Sequence, residues 1–385
     1  MIRPYKLNWR LLPIILCQLS IILACTKKNE ILLPYINTAA TPQYATKVSD
    51  GMTNCYIVAP NTELIFPVSR AYIYTGTNFT TMLHVGETYT DGFDAAVVWD
   101  DAGVINGMPS VSGFGNNAIV KVTTTSVSGN ALVKICKTGE NIPVWSYHIW
   151  VTDYDPIQNT FTNMDKNDRR IIFMDRNLGA TESGNTLSAR GLMYQWGRKD
   201  PFPGGSTTAG YNAMSSFNFG SKFKVSGSTN AGAIIESIEK PTTFFAAVSN
   251  KNWLPALDNE LWDHSGSKTI YDPCPAGWRI PANTGMSSNT SPWYGFRGQT
   301  FTVDDTATAY WSSSGTNTLY PAAGYRDHAD GRLNYSGSYG CYWSASPYSN
   351  SSNGASELYF DNNASIAVSN YACRAYGQSV RCVQE

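Results

Sequence analysis

Between residues 53 and 155, apolar and polar positions alternate in short segments typical of β-strands. Tyr147, Ile149 and Val151 occupy every second position and therefore share one strand face, while Ser146 and His148 lie on the other. Six strands are predicted at Cys55–Val58, Leu64–Val68, Ala95–Trp99, Ile119–Thr124, Ala131–Cys136 and Val144–Thr152. Because turn-forming clusters separate them, residues 51–157 are expected to fold as a β-sandwich.

From residue 165 onward the pattern changes to short apolar segments separated by long stretches rich in Gly, Ser and Asn. Ile171–Met174 predicts a strand, and three apolar residues at helical spacing predict a helix over Ser188–Arg198. A short helix is also predicted near Thr242–Val248. The similar segments Tyr310–Ser314 and Tyr342–Ser346 predict strands with buried Trp and hydrogen-bonded hydroxyls. Catalysis by these serines is not expected, since the chain has no Gly-x-Ser-x-Gly motif.

The first 24 residues have the pattern of an export leader. Met1–Arg10 is basic, and Leu11–Leu23 is an apolar segment too short to cross a bilayer as a helix. The segment ends at Ala24–Cys25, which resembles a bacterial lipobox and implies cleavage before a lipidated (palmitate-bearing) Cys25. The alternative is an ordinary signal peptide in which Cys25 is incidental. Residues 25–50 are mostly polar and are expected to form a tether.

Composition and charge narrow the range of functions. Charged residues make up 15% of the chain and aromatic residues 13%, which is a globular composition. Of the 28 basic residues three lie in the leader, which leaves 25 against 29 acidic residues. Because this balance creates no basic field, nucleic-acid binding is not expected.

The remaining cysteines favour an oxidising compartment without a metal site. Six cysteines follow Cys25 and permit disulfides, with 15 connectivities left open by the sequence. No Cys-x-x-Cys or Cys/His spacing indicates zinc. The four histidines lie far apart in unlike contexts, so none is expected to be a ligand: His84, His148, His264 and His328. We therefore expect no metal and no cofactor.

Five motifs occur in a fixed order between residues 169 and 385. They are Asp175–Gly179, Tyr194–Arg198, Tyr271–Pro281, Tyr342–Ser346 and Ser379–Val383. Together they resemble the Fibrobacter succinogenes major paralogous domain, a family grouped with C-type-lectin-like folds. The preceding region, with its segments Asn54–Val58 and Trp145–Asp153, looks like the domain that often precedes this family in Bacteroidales lipoproteins.

The resemblance implies a β-rich α+β chain, with an Ig-like β-sandwich at 51–157 and a C-type-lectin-like domain at 165–385. In lectin-like folds the two ends of the domain pair as strands, and an early Cys bridges to one near the C-terminus, which implies a Cys274–Cys382 disulfide. The calcium-binding Glu-Pro-Asn or Gln-Pro-Asp loop and Trp-Asn-Asp strand of lectins are absent from the sequence. The fold is therefore expected without calcium-dependent sugar binding.

The segment from Gly331 to Val380 has the composition of a binding surface. It contains 7 Tyr, 6 Asn and 11 Ser in 50 positions, and Tyr supplies large contact area at low entropic cost. The alternative is a loop-rich domain in which Ser and Asn only solvate turns. Ligand-facing residues are predicted to be Tyr325, Asp327, His328, Tyr335, Tyr339, Tyr342, Tyr348, Asn350, Tyr371 and Tyr376.

Three of these segments also resemble the frame of a variable region. Pro321–Arg326, Tyr342–Ser344 and Ser379–Val383 are similar to segments that flank the diversified positions in lectin-like target proteins of diversity-generating retroelements. Such diversification yields residues such as Asn, Ser and Tyr but not Lys, and this chain has no Lys after Lys268. The resemblance implies that Cys341 and Cys373 are products of variation rather than a disulfide.

The sequence thus predicts an outer-membrane lipoprotein of the cell envelope that binds an unidentified protein or glycan without catalysis. Two alternatives belong to other classes. A fimbrial tip or accessory subunit would require a removable edge strand near residues 50–70. An enzyme of the formylglycine-generating or glycan-processing kind would require a deep pocket with convergent, perturbed carboxylates.

Overall fold

The computed structural model is mostly β, with several sheets and almost no helix. Of the described residues, none forms a helix long and apolar enough to cross a membrane. The leader, the tether, Cys25, His84, His264 and Asn350 lie outside the described residues. The structure describes residues 53–68, 72–74, 79–81, 92–184, 186–204, 223–226, 234–247, 251–263, 265, 268–296, 301–303, 309–312, 319–349, 353–363 and 365–385.

The N-terminal region consists of short strands in three sheets. The strands are β1 (Cys55–Val58), β2 (Glu63–Pro67), β3 (Tyr72–Tyr74), β4 (Phe79–Thr81), β5 (Phe93–Asp100), β6 (Ser110–Ser112), β7 (Ile119–Thr123), β8 (Gly129–Lys137) and β9 (Pro143–Val151). One sheet has the order β1-β9-β8-β5, a second β2-β7-β6, and the third joins β3 to β4. The β1–β9 pair is parallel. All six strands predicted in this region are confirmed, with ends that shift by at most two residues.

The two larger N-terminal sheets share an aromatic core. The Tyr56 ring on β1 stacks on the Phe66 ring of β2 at 4.6 Å, and the Tyr147 ring on β9 meets Phe66 edge-on at 5.0 Å. These three rings are fully buried. Edge-to-face and stacked rings of this kind add to the stabilisation that apolar burial provides.

The opposite face of β9 is buried as well, against residues of the C-terminal region. There Asp200 Oδ1 accepts hydrogen bonds from Ser146 Oγ and Lys199 Nζ, both at 2.7 Å. Asn54 Nδ2, next to β1, donates to the Asp272 carbonyl at 2.9 Å. All the described residues belong to one compact unit, in which buried polar bonds connect the N-terminal sheets to the rest.

The C-terminal region contains sixteen described strands and one short helix, α1 (Ile234–Glu239). The strands are β10 (Thr160–Met164), β11 (Arg170–Met174), β12 (Met193–Gln195), β13 (Lys224–Val225), β14 (Thr243–Phe244), β15 (Trp278–Arg279), β16 (Phe301–Val303), β17 (Ala309–Ser312), β18 (Leu319–Pro321), β19 (Tyr325–Arg326), β20 (Leu333–Asn334), β21 (Tyr339–Pro347), β22 (Gly354–Asp361), β23 (Ile366–Cys373), β24 (Gly377–Ser379) and β25 (Val383–Gln384). The largest sheet has the order β20-β19-β24-β21-β22-β23, with β12 added on β24. A four-stranded sheet has the order β10-β11-β25-β15.

The predicted helix at Ser188–Arg198 is wrong. Residues 187–189 form a single 3-10 turn, and Met193–Gln195 is a strand paired with β24. Gly191 and Gly197 have φ of 67° and 86°, a left-handed conformation that ends any helix at these positions. Every residue of β12 is buried, so apolar spacing here reports burial on all sides rather than a helix face.

The short helix predicted near Thr242–Val248 is also wrong. The helix α1 ends earlier, at Glu239, and Thr243–Phe244 pairs in parallel with Lys224–Val225. The following residues Phe245–Ala247 are all buried. A short apolar run that is buried on every side fits a strand and a helix equally well, which explains the error.

The disulfide implied by the resemblance is present. Cys274 and Cys382 are bonded, with their Cα atoms 6.0 Å apart. The ends of the C-terminal region also pair, because Phe173 of β11 lies opposite Val383 of β25. Four further cysteines in the described part of the chain are buried thiols: Cys55, Cys136, Cys341 and Cys373.

The strand predicted at Tyr342–Ser346 is confirmed within β21. Trp343 is fully buried and its indole donates to the Tyr194 carbonyl at 2.7 Å. Ser346 Oγ accepts a hydrogen bond from the Asn283 backbone at 2.8 Å. The serines of this segment therefore have structural partners. β17 confirms a strand at Ala309–Ser312.

Candidate ligand-binding surface

The two faces of β21 and β22 have different surroundings. The inner face carries Tyr342, Leu358 and Phe360, which are completely buried in an aromatic core. Side chains alternate along a strand, so Tyr339 projects from the opposite face. The pairing of β21 with β22 places Cys341 directly across from Tyr359, on that same outer face.

Six aromatic rings form what we call the tyrosine cluster: Tyr325, His328, Tyr335, Tyr339, Tyr359 and Tyr376. Tyr335 stacks on Tyr339 with centroids 4.2 Å apart and planes within 5°. Tyr339 meets Tyr359 edge-on at 5.4 Å, and Tyr325 contacts Tyr376 at 4.8 Å. Tyr335 also stacks on Tyr325 at 5.9 Å. The rings thus form one continuous surface contributed by β19, β21, β22 and the loops beside them.

Tyr335 is the most exposed member of the tyrosine cluster. Its side chain is 53% exposed, and its φ of 54° lies in the left-handed region that is costly for a residue with a Cβ. The backbone N–H groups of Ser338 and Tyr339 both donate to the Tyr335 carbonyl at 2.9 Å. The turn therefore holds an aromatic ring in solvent at some conformational cost, which is a feature that functional sites often show.

Tyr348 and Tyr371 form a second exposed pair. Their rings meet edge-on at 5.4 Å, and their side chains are 39% and 40% exposed. Tyr371 hydrogen-bonds the Cys373 thiol, and Cys373 in turn lies close enough to Tyr376 to affect the pKa of that phenol. Cys373 is therefore near both Tyr371 and Tyr376.

Asp327 and His328 occupy the turn that joins β19 to β20. Asp327 Oδ1 accepts a hydrogen bond from the Ala329 backbone at 2.8 Å and so fixes the turn. His328 Nδ1 lies 2.9 Å from the Ala247 carbonyl, so Nδ1 carries the proton and donates it. The His328 ring then contacts Tyr376 at 5.0 Å. His328 thus belongs to the tyrosine cluster, and Asp327 lies near Tyr325.

Tyr342 is a correction to the predicted set. It is fully buried, its hydroxyl donates to the Pro321 carbonyl at 2.5 Å, and it accepts a hydrogen bond from Asn177 Nδ2 at 3.2 Å. The alternation of β21 turns it toward the inner core, so it cannot face a ligand. Tyr359, which the prediction omitted, takes part in the surface instead. Its alternation with buried Leu358 and Phe360 is the sequence signal that could have identified it.

Sequence reasoning also missed the carboxyl group of Glu357. Glu357 is 3% exposed, and its Oε1 accepts a hydrogen bond from Asn370 Nδ2 at 2.8 Å. Burial raises the pKa of Glu357 to about 8, while hydrogen bonds from Asn370 and Gln378 oppose this rise. Glu357 lies two residues before Tyr359 on β22, so the two side chains share a strand face and Glu357 is near the tyrosine cluster. At neutral pH Glu357 is therefore mostly protonated, so it adds little negative charge next to the tyrosine cluster.

The phenol groups of the surface are neutral donors as well. Burial, followed by the nearby Asp327 charge, raises the pKa of Tyr325 to about 12. Burial likewise raises the pKa of Tyr376. Among the described residues no group of three His, Cys, Asp or Glu side chains is arranged to hold a metal ion. What this surface offers chemically is aromatic contact area with neutral hydroxyl groups.

The raised pKa of Glu357 predicts a pH-dependent stability that the Glu357→Gln variant lacks. Between pH 4.5 and 8 the unfolded chain ionises at this position while the folded chain stays neutral. The folded state therefore loses up to about 1.4 kcal/mol of unfolding free energy per pH unit as pH rises through this window. Urea unfolding at pH 5 and pH 8 should show this loss in the wild type, and a smaller loss in the variant.

The matched control is Glu260→Gln, because Glu260 is exposed. This variant should follow the wild-type pH dependence. Equal slopes for the wild type and Glu357→Gln would mean that the Glu357 carboxyl is not desolvated in the folded protein.

The tyrosine cluster lies in a segment of the chain that matches a protein family. Residues 295–383 match a family described as a domain of unknown function (DUF8237), and all members of the tyrosine cluster lie within this range. No curated protein matches the chain.

Two solved structures of one S-layer protein, SbsC, show distant similarity. Domains 4 and 5 are 17% identical over 31% of this chain and 46% of that chain, with a TM-score of 0.18. A longer fragment, rSbsC(31-844), is 16% identical over 39% of this chain and 17% of that chain, with a TM-score of 0.19. The chain thus spans less than half the length of either structure. Similarities at this level define neither a fold nor a function.

Proposed function

We propose that this protein is a cell-envelope lipoprotein that binds a protein or glycan ligand without catalysis, through the tyrosine cluster. In this proposal an Ig-like β-sandwich carries a C-type-lectin-like binding domain, and the lipid on Cys25 holds the chain at the outer membrane. The observation that supports it most is the set of stacked, partly exposed tyrosines on the outer face of the largest sheet.

Tyrosine-rich surfaces suit recognition for physical reasons. A Tyr side chain has few rotatable bonds, so it presents a large contact area at little entropic cost, and its hydroxyl adds a hydrogen bond. Ring-on-ring packing further restricts the rings before a ligand arrives. Such preorganisation improves affinity because less conformational freedom is lost on binding. The match of residues 295–383 to a domain of unknown function is compatible with this proposal and does not define the ligand.

Truncation of single tyrosines is predicted to weaken ligand binding. Once a protein or glycan array identifies a ligand, Tyr335→Ala, Tyr348→Ala and Tyr376→Ala should each cost about 2 kcal/mol, or about thirtyfold in Kd. Because the surface is largely neutral, affinity should depend little on salt and should survive a calcium chelator. Calorimetry at two salt concentrations, with and without chelator, measures all three effects.

The control is Phe114→Ala, which removes an aromatic ring that is 73% exposed on the N-terminal region. It should leave binding unchanged. Tyr335→Ala and Tyr348→Ala should also keep the wild-type melting temperature, while Tyr376 is half-buried between Tyr325 and His328 and should lose some stability. Normal binding by all three tyrosine variants would place the ligand on another face.

A fimbrial tip or accessory subunit is the second candidate, and one observation favours it. β1 lies at the edge of its sheet and within residues 50–70, where assembly by strand donation would require a removable edge strand. β1 is nevertheless buried along its whole length, and the preceding Asn54 donates to the Ile270 and Asp272 carbonyls. Assembly would have to break these contacts, so we rank this candidate second.

The variable-region proposal concerns the origin of the surface rather than its chemistry. If a diversity-generating retroelement produced residues 331–380, the exposed tyrosines would differ between close copies of the gene while Tyr342 and Trp343 would not. A reverse transcriptase with a template repeat beside the gene would support this origin.

A further inference from the structure

A cleft of about 280 Å³ lies on the sheet formed by β10, β11, β25 and β15. Arg279 of β15 lies directly opposite Val383 of β25, and Val383 lies opposite Phe173 of β11. Ile171 is two residues from Phe173 and so shares its face. The strands therefore bring Arg279, Val383 and Ile171 together on one wall of the cleft. Residues of the segment from Pro281 to Pro292 also line the cleft.

Positive charge dominates the lining of this cleft. Three arginines line it, Arg169, Arg170 and Arg279, against a single acid, Asp165. The Asp165 carboxylate is already occupied: it accepts hydrogen bonds from the backbone of Asn167 at 2.8 Å and from Arg169 Nε at 2.6 Å. Burial by itself would raise the pKa of Asp165, but these hydrogen bonds together outweigh it and lower the pKa. Among the residues that line the cleft, basic side chains therefore outnumber acidic ones, which favours an anionic ligand.

Arg279 is the residue in this cleft best suited to hold an anion. Its side chain is half-buried. Burial lowers the pKa of Arg279, and the negative charges of Asp272, Glu385 and Asp263 partly oppose this decrease. Within the described residues, the hydrogen bond of its guanidinium is from Nη1 to the Ile280 carbonyl at 3.1 Å. A guanidinium has five N–H donors in a planar fork that matches a carboxylate or phosphate. Among the described residues the bond to Ile280 is the hydrogen bond that the Arg279 side chain makes, which leaves its other N–H donors for a ligand.

The rest of the lining selects for an organic body beside the anionic group. Ile171, Val383, Pro281, Ala282 and Pro292 are apolar, and Thr284 adds a hydroxyl. The volume is at the small end of the range for ligand sites. It suits one ring or one sugar unit rather than a whole chain. An inorganic ion would make no use of these apolar side chains.

We propose that this cleft binds a small organic carboxylate, with its carboxyl group on Arg279 and its apolar or sugar-ring body against Ile171, Val383 and Pro281. The site is distinct from the tyrosine cluster in residues and in chemistry, since one offers a cationic fork and the other neutral phenols. It would let the protein engage an acidic sugar or an organic acid independently of the ligand of the tyrosine cluster.

Calorimetry on the full folded chain at low salt tests this site, with benzoate, glucuronate and inorganic phosphate as probes. We expect saturable binding of at least one of the two carboxylates, and weaker binding of phosphate. Arg279→Gln should weaken carboxylate binding by about tenfold or more, because a charged hydrogen-bond donor is lost. Arg279→Lys should keep the charge but lose the fork, and should bind with intermediate affinity.

The controls separate this site from folding and from the tyrosine cluster. Arg332 is largely exposed beside Asp330, outside the cleft, so Arg332→Gln should bind the carboxylates normally. Arg169→Gln at the exposed edge should fold normally and weaken binding by about threefold through lost charge. Tyr335→Ala should have no effect on carboxylate binding. Three results would each overturn the proposal. The first is the absence of saturable binding, and the second is tighter binding of phosphate than of both carboxylates. The third is equal carboxylate affinity in Arg279→Gln, Arg169→Gln and the wild type.

Discussion

The Asp200→Asn variant is expected to lose about 3–5 kcal/mol of unfolding free energy relative to the wild type. Asp200 and Lys199 have side chains that are 3% and 2% exposed, with Lys199 Nζ 2.7 Å from Asp200 Oδ1. Removal of one charge leaves the other buried without its counter-charge, which costs more than the pair itself contributes. Urea unfolding monitored by tryptophan fluorescence measures the loss.

Two further variants identify the cause of that loss. Asp330→Asn breaks an exposed pair with Arg332 and should change stability by no more than about 0.5 kcal/mol. The double variant Lys199→Met with Asp200→Leu removes both charges and should recover much of the stability lost in Asp200→Asn, because the desolvation cost disappears with them. Wild-type stability in Asp200→Asn would mean that water reaches this pair in the folded protein.

The location of this pair explains its importance for the whole chain. Lys199 Nζ also donates to the Ser146 carbonyl at 2.9 Å, so the pair joins β9 to the C-terminal region. His148, two residues further along the same face of β9, is fully buried with its Nε2 2.9 Å from Asn130 Oδ1. Burial lowers the pKa of His148 to about 3, so it stays neutral. The alternation along β9 would place Ser146 and His148 on a solvent-exposed face. In the structure this face is buried against other parts of the chain.

The contrast between β9 and β12 shows what sequence periodicity can predict. Tyr147, Ile149 and Val151 alternate regularly, and the strand follows directly. The alternation could not predict that Ser146 and His148 are buried too, because their partners are residues distant in sequence. The helix predicted at residues 188–198 is wrong for a related reason. Where a segment is buried on both sides it lacks the polar positions that distinguish a helical period from a strand period.

Composition predicted the tyrosine surface better than it predicted the individual residues. The Tyr, Ser and Asn content of residues 331–380 indicated a surface, and the predicted set included five of the six members of the tyrosine cluster, three of them within this segment. Tyr342 was included and Tyr359 was omitted because the face on which each lies depends on strand register, which composition does not contain. Glu357 could not be predicted, since its raised pKa arises from desolvation by the surrounding strands rather than from a sequence motif.

The second large effect is expected from the Cys274–Cys382 disulfide. These cysteines are separated by 108 residues, so the bond closes a long loop in the unfolded chain. On the chain-entropy estimate, loss of such a crosslink costs about 4–5 kcal/mol. The double variant Cys274→Ala with Cys382→Ala should therefore unfold at a much lower urea concentration than the wild type. Reductant should destabilise the wild type to a similar extent and leave the double variant unchanged.

The loss of local stability in the double variant should be largest around β25. Cys382 lies next to β25, and its carbonyl accepts a hydrogen bond from the Met174 backbone at 3.0 Å, so the crosslink holds the last strand between β11 and β15. Backbone hydrogen exchange in β25 should increase in the double variant more than exchange in β8 or β9. Cys341→Ala is the matched control, because Cys341 is a buried free thiol and the variant keeps the Cys274–Cys382 disulfide, so reductant should destabilise it as much as the wild type. A non-reducing peptide map with Cys274 and Cys382 both as free thiols would refute the assignment.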